Sequence, residues 1–357
     1  MFDFKKTYQL PFDFEIPNYS KVYLNQNNFF KRYLKYLKRY IFLLIMRQNN
    51  LELKKITDQQ KRILWINISA PSIGDTLMDL SSRVLLKGKN IDLYTNEANS
   101  SIYTNDKFIS NIFISEKSVI NIKYDLVILD SYSSRSLKIK KNVAPLTPYV
   151  SMFGYYNGPE VNRVLFSFFR MNQLLNYPNK NHLLSNFAKC SLNISSHDVK
   201  IVTNLNLPKK FISIVIGGEW PYRTYQNWIS VIDEIFRLNK KINIVLIGSS
   251  NGNSSAQFIM QKFSSQSIQS CVSRFTFNQT AQIIKQSKIV LCCDGGLMHA
   301  ANGVNTPIIP LFARLTDDMQ LTAPICSFPL YDKTNVNNIS VDRIVAKYTE
   351  SINKLAY

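Results

Sequence analysis

The sequence predicts an α/β protein: two Rossmann-like domains in succession, facing a central cleft, with a basic N-terminal extension. Three observations carry this expectation. From residue 63, short apolar runs alternate with segments whose apolar residues recur at three- and four-residue spacing. The alternation starts afresh after Pro208, and the first 62 residues depart from it with an excess of positive charge. At 357 residues and 45% hydrophobic content, the chain is long enough for two ordinary cores and too apolar for disorder.

Residues 1–62 hold thirteen Lys/Arg against five Asp/Glu. Their strongest pattern is Phe29–Arg47, with six basic residues and no acid. On a helix, Phe30, Tyr33, Leu34, Leu37, Ile41, Leu44 and Ile45 share one side, while Lys31, Arg32, Lys35, Lys38 and Arg39 take the other. Such a basic amphipathic helix is expected to contact an anionic membrane through those five cations. The competing expectation is a helix packed on the body with a solvated basic face. The uncharged run Tyr40–Met46 is too short to span a bilayer, and no apolar signal segment opens the chain, so neither export nor integral insertion is expected.

The first domain, 63–205, begins with a strand over Ile63–Ile68. A helix over Thr76–Lys87 and a strand over Ile91–Thr95 follow, making a right-handed parallel βαβ unit. Tyr124–Asp130 reads as another strand and Val161–Leu175 as a helix; the rest of 132–200 carries no clear period. Asn204–Pro208 is the expected linker. The second domain, 206–335, alternates strands (Phe211–Ile216, Ile242–Gly248, Cys271–Phe275, Lys288–Cys293, Ile308–Phe312) with helices (Tyr225–Leu238, Ser255–Phe263, Thr280–Ser287). Residues 336–357 hold a last helix, Val341–Leu355.

A formal charge of +19 implies an anionic partner, either nucleic acid or a phosphate-bearing lipid or sugar. Five cysteines without a Cys-x-x-Cys spacing suit a reducing compartment. The three histidines lack ligand spacing, and no Asp-x-Asp ends a strand, so neither a metal nor a cofactor is expected. Nucleic-acid binding has no motif to support it, and the charge is concentrated before the enzyme-like core.

The most informative stretch is Cys293-Asp294-Gly295-Gly296-Leu297-Met298-His299-Ala300-Ala301, where an apolar strand ends in an acid and two glycines and a helix begins. Glycine lets a backbone approach a ligand closely, and helix-start N–H groups with the positive dipole end suit phosphate. A nucleotide diphosphate fits such a place. The bland alternatives are a turn that needs glycine for sterics alone and a packing or capping role for His299.

With its continuation Gly303-Val304-Asn305-Thr306-Pro307 and Ile308–Phe312, this stretch resembles the second-domain motif of glycosyltransferase family 9, the ADP-heptose transferases. The resemblance covers about residues 63–325 and implies the two-domain GT-B fold, in which the last helix often returns to the first domain. It also implies a role for Ser69–Leu77, similar to the family's Gly-Asp-(Val/Thr)-Leu element: Asp75 matches the proposed catalytic base. The plainer role for Asp75 is helix capping. Gly217, Gly218, Glu219 and Arg223 match the family's donor-side loop, with Arg223 where a Lys is usual. Together with Asp294, Gly295, Gly296, Leu297, Met298 and His299 they form the expected donor site. Two departures bear on donor identity: Glu219 replaces a hydroxyl residue, and the loop Ser249–Asn253 lacks the acid used on ribose.

The expectation is thus an inverting, metal-independent glycosyltransferase. It would move heptose from ADP-heptose to the inner core of lipopolysaccharide or lipooligosaccharide, peripheral on the cytoplasmic face of the inner membrane. The alternatives are another nucleotide sugar, a capsule or protein acceptor, or a catalytically idle GT-B scaffold in glycan assembly.

Overall fold

The computed structural model describes residues 8–18, 20, 29–158, 160–177 and 181–355. The chain divides into two compact units, Met1–Ala188 and Lys189–Tyr357.

In the first unit, strands β1 (Arg62–Asn67), β2 (Asn90–Thr95), β3 (Asn111–Phe113), β4 (Leu126–Leu129) and β5 (Tyr149–Ser151) form a parallel sheet of order β3-β2-β1-β4-β5. Ile63, Leu64, Trp65 and Ile66 are all buried, as befits a central strand covered on both faces. The principal helices are α1 (Phe29–Ile45), α2 (Ile73–Asp79), α3 (Ser134–Val143) and α4 (Arg163–Leu175), with short ones at Glu97–Ser100 and Asn181–Ser185. Strand order reverses between β1 and β4, which marks the switch point where such sheets bind ligands.

The helix expected over Thr76–Lys87 is shorter and starts earlier. Ser72 caps α2 by accepting the Asp75 N–H, and a separate 3-10 turn covers Ser81–Leu85. The break has a physical cause. Arg83 is fully buried and paired with Asp106, and Ser81 Oγ donates to the Met78 carbonyl, so polar demands of the interior override the helical period.

Residues 29–62 do not stand apart as an extension. Leu43 of α1 enters the first unit's core with Leu64, Val127 and Tyr149. Gln48 accepts from the buried Lys140 and donates to the Pro145 carbonyl.

In the second unit, β6 (Ile212–Val215), β7 (Ile244–Ile247), β8 (Ile268–Ser270), β9 (Val290–Cys293), β10 (Ile308–Ala313) and β11 (Leu330–Asp332) form a parallel sheet of order β11-β10-β9-β6-β7-β8. Its principal helices are α5 (Ser196–Thr203), α6 (Trp228–Leu238), α7 (Asn253–Lys262), α8 (Phe277–Gln286), α9 (Gly296–Gly303) and α10 (Val341–Lys354), with a short one at Asp317–Gln320. The switch point lies between β6 and β9.

Three expectations change here. The boundary expected at 204–208 lies earlier, between Ala188 and Lys189, so that α5 belongs to the second unit: it packs on α8, and Gln279 Nε2 donates to Asp198 at 3.1 Å. The last helix, which in the resembled fold often returns to the first domain, packs within the second unit against α6 and β10, burying Ile344 and Tyr348 in that core. The strand expected over Cys271–Phe275 lies earlier, at Ile268–Ser270, and within the expected range the chain turns at Ser273, whose φ of 59° is left-handed.

Candidate active site

The three segments singled out for chemistry follow the carboxyl ends of β1 in the first unit and of β6 and β9 in the second, strands that flank the two switch points.

In the first unit, Asp75 is the third residue of α2. Ser72 Oγ accepts its N–H and donates 2.6 Å to carboxylate Oδ2, while Oδ1 lies 3.5 Å from Arg163 Nη1. The cap is therefore Ser72, and the Asp75 carboxylate accepts from the same hydroxyl. Arg163, at the start of α4, also grips Asp79 with Nε and Nη2 at 2.8 and 2.7 Å. Burial opposes its charge, but Asp79 and Asp75 outweigh burial and hold Arg163 protonated far above its ordinary range. Burial also pushes the Asp79 carboxyl up, against the pull of Arg163. Arg163 thereby holds Asp75 Oδ1 while Ser72 holds Oδ2.

Asp130, just after β4, orders the loop that carries these residues. Its Oδ2 accepts the N–H groups of Ile68 and Ser69 at 3.0 and 2.7 Å, and Oδ1 accepts Ser136 Oγ at 2.6 Å. Neither Arg163 nor Asp130 was singled out from the sequence. Asp130 carried a legible signal, an acid closing an apolar run beside the switch point; Arg163 carried none.

In the second unit, β6 leads into Gly217, Gly218, Glu219 and the turn Pro221–Arg223. Gly217 has φ +88°, and a Cβ there would lie 2.5 Å from Asn251 Oδ1 and 2.8 Å from Gly252 N. A Cβ on Gly218 would lie 2.3 Å from Thr224 Oγ1. These glycines are required by the protein's own packing. Asn251 Nδ2 donates 2.8 Å to the Gly218 carbonyl, which ties the loop after β7 to the loop after β6. Glu219 is exposed.

Gly295 differs. Its φ of 167° is extended backbone that any residue adopts, and a Cβ there would meet no protein atom within 4 Å. Sterics within the protein therefore do not explain this glycine. No side chain caps α9, and no acid occupies its first turn. The backbone N–H groups of Gly296 and Leu297 open that helix, the arrangement that suits an anion.

Arg223 Nη1 bonds Asp294 Oδ2 at 2.7 Å, with Asp294 buried. The anion that an arginine beside a helix start demands is thus supplied first by Asp294. Tyr222 lies against Arg314, whose guanidinium is 3.7 Å from the ring centroid. Arg314 follows β10 with φ 68°, and sequence reasoning passed over it. Met298 and His299, expected at the donor, are buried at 0% and 2%. Their side chains belong to the interior, so what this pair can offer a ligand is backbone. The Cys293 thiol, at the end of β9, is pushed up to about 12, chiefly by burial, and is neutral.

Residues 158–341 match the family described as glycosyltransferase family 9 (heptosyltransferase). No curated protein matches the sequence. Among solved structures, the family 9 glycosyl transferase of Veillonella parvula DSM 2008 is similar with a TM-score of 0.69 at 12% identity, covering 82% of this chain and 97% of that one. The E. coli ADP-heptose lps heptosyltransferase II has a TM-score of 0.63 at 15% identity, covering 83% and 100%. The E. coli heptosyltransferase WaaC with ADP has a TM-score of 0.62 at 14% identity, covering 81% and 99%. At these identities the structures speak for the fold, GT-B, and the match over 158–341 speaks for the family. With more than half its length matched, the donor-side motif included, the chain belongs to glycosyltransferase family 9, the heptosyltransferases, and is a glycosyltransferase.

Proposed function

We propose that the protein is an inverting heptosyltransferase that uses ADP-heptose and glycosylates an anionic, lipid-linked saccharide of the lipopolysaccharide inner-core type. The observation that carries the donor half is Gly295. A glycine that neither backbone conformation nor protein packing requires, at an uncapped helix start, is accounted for by a ligand's close approach. The diphosphate would accept the N–H groups of Gly296 and Leu297, with the charge of Arg223 held beside it by Asp294. Asp294 then acts through Arg223 rather than on sugar hydroxyls. The choice of ADP is supported by the similar structure that contains it.

In the reaction, the acceptor hydroxyl oxygen forms the new bond to the anomeric carbon as the bond from that carbon to the diphosphate oxygen breaks. The electron pair leaves on ADP, and the hydroxyl proton passes to the Asp75 carboxylate. Single displacement from the opposite face inverts the anomeric configuration. Arg163 and Ser72 orient the carboxylate for this step. Stabilisation of the leaving diphosphate falls to the α9 start and Arg223, which is preorganised electrostatics without a metal. The acceptor's phosphates match the chain's +19 charge, and a lipid-linked acceptor places the enzyme at the inner face of the inner membrane.

Calorimetry with ADP, UDP, GDP and CDP tests the donor half. ADP should bind in preference, and Arg223→Ala should weaken it by about 1–3 kcal/mol. Selective binding of another nucleotide would replace the donor, and binding of none would favour an idle scaffold.

A further inference from the structure

Helix α1 packs on the first unit in an unexpected orientation. Its inward stripe is Arg32, Tyr36, Arg39 and Leu43. Arg39 Nη1 donates to the Tyr155 and Tyr156 carbonyls at 3.3 and 3.2 Å, Tyr36 meets the Tyr155 ring, and Leu43 is buried. Arg32 lies over the Tyr8 ring, and Lys35 donates 2.8 Å to Asn157. Of the five cations expected at a membrane, Arg32 and Arg39 are therefore turned to the body, and Lys35 is tied to it. Burial lowers the affinity of both Lys35 and Arg39 for their protons.

The apolar stripe takes the opposite side. Phe30, Leu34, Ile41, Leu44 and Ile45 are 61%, 46%, 45%, 41% and 69% exposed. Beyond the helix, Gln48 binds the Pro145 carbonyl, which brings Leu146, 82% exposed, beside the same end. A soluble surface helix normally buries such a stripe; this one presents it to solvent. Lys31 and Lys38 are exposed along the helix and Arg47 just beyond its end, and α3, which packs on α1, carries exposed Arg135 and Lys138.

We infer that α1 is a monotopic docking helix for an anionic phospholipid bilayer, lying in the interface plane with its outward apolar stripe among the acyl chains. Charge selects this occupant. The segment Phe29–Arg47 has six basic residues and no acid, so pairing with a second copy would set like charges together, whereas anionic headgroups complement them. Among the described residues no helix is long and apolar enough to cross a membrane, which leaves an in-plane pose. The inference deepens the membrane part of the proposed function and rests on it only for the acceptor's location.

Flotation of the full chain with phosphatidylcholine vesicles, with and without about one-third phosphatidylglycerol, tests it. The wild type should float with the anionic vesicles. Leu34→Gln/Ile41→Gln/Ile45→Gln should lose about a hundredfold or more in apparent affinity. Lys31→Gln/Lys38→Gln should lose roughly fivefold per lysine at low salt. Gln suits an exposed helix position, and far-ultraviolet dichroism of the variants should match the wild type. Wild type that stays at the bottom, or a triple variant that floats as wild type does, overturns the inference. So does a wild-type dimer that the triple variant makes monomeric without any vesicle binding. Nucleotide binding by the triple variant should be unchanged, which separates a failure here from a failure of the donor reading.

Discussion

Asp75→Asn separates chemistry from helix capping. Asn keeps the size of the side chain and can still accept from Ser72, whose own capping bond to the residue 75 N–H is a backbone contact and survives. What disappears is the carboxylate charge 3.5 Å from Arg163. At that distance the gross attraction is about 5 kcal/mol at an effective dielectric of about 20. The net loss is much smaller. Arg163 keeps its shorter pair with Asp79, and removing one of two neighbouring carboxylates relieves their repulsion. A destabilisation of about 1 kcal/mol, or roughly 2–4 °C in melting temperature, is expected. Turnover should fall by about 10²–10⁴-fold if Asp75 takes the acceptor proton, with donor affinity little changed. Single-turnover kinetics beside a melting curve reads both quantities on one preparation. Turnover within a few-fold of wild type would refute the assignment of Asp75 as base and leave it a helix-start residue.

Two further perturbations use the same logic. Gly217→Ala should destabilise by about 1–3 kcal/mol, since its left-handed φ and the 2.5 Å approach of Asn251 leave no room for a Cβ. Gly295→Ala should leave the melting temperature unchanged and weaken ADP at least tenfold, and equal affinity would strip Gly295 of its ligand role. Lys140 is fully buried, and burial, then Lys141, lowers its pKa to about 8 from an ordinary 10.5. The native state thus gives up this proton before the unfolded chain does, and stability gains from Lys140 as pH rises from about 8 toward 10.5. Urea unfolding at pH values of about 7 and 9.5 should move the difference between wild type and Lys140→Met by roughly 1–2 kcal/mol in favour of wild type. A difference that does not move would mean that Lys140 is solvated.

The sheets were legible because parallel strands buried on both faces read as continuous apolar runs, as at Ile63–Ile66 and Ile308–Phe312. The positions of Asp75 and Asp294 followed, since an acid after such a run lies at a carboxyl end. What the sequence withheld depended on long-range polar contacts. Nothing near Arg163 in sequence points to Asp75 and Asp79, 88 and 84 residues away. The Arg223 to Asp294 bond likewise joins two loops whose strands are neighbours only in the folded sheet. The α1 pattern gave the helix but not its orientation. Hydrophobic periodicity says that a stripe exists, and burying that stripe is the default expectation; here Arg39 and Tyr36 take the inward position through carbonyl and ring contacts that periodicity does not score.

The most direct measurement of the catalytic claim is the product itself. The protein is incubated with ADP-heptose and a truncated lipopolysaccharide acceptor in the presence of a chelator, and the new linkage is read by nuclear magnetic resonance. Transfer of one heptose, release of ADP, and an anomeric configuration opposite to that of the donor are expected. Transfer with retention, or transfer only from a sugar on another nucleotide, would contradict that claim.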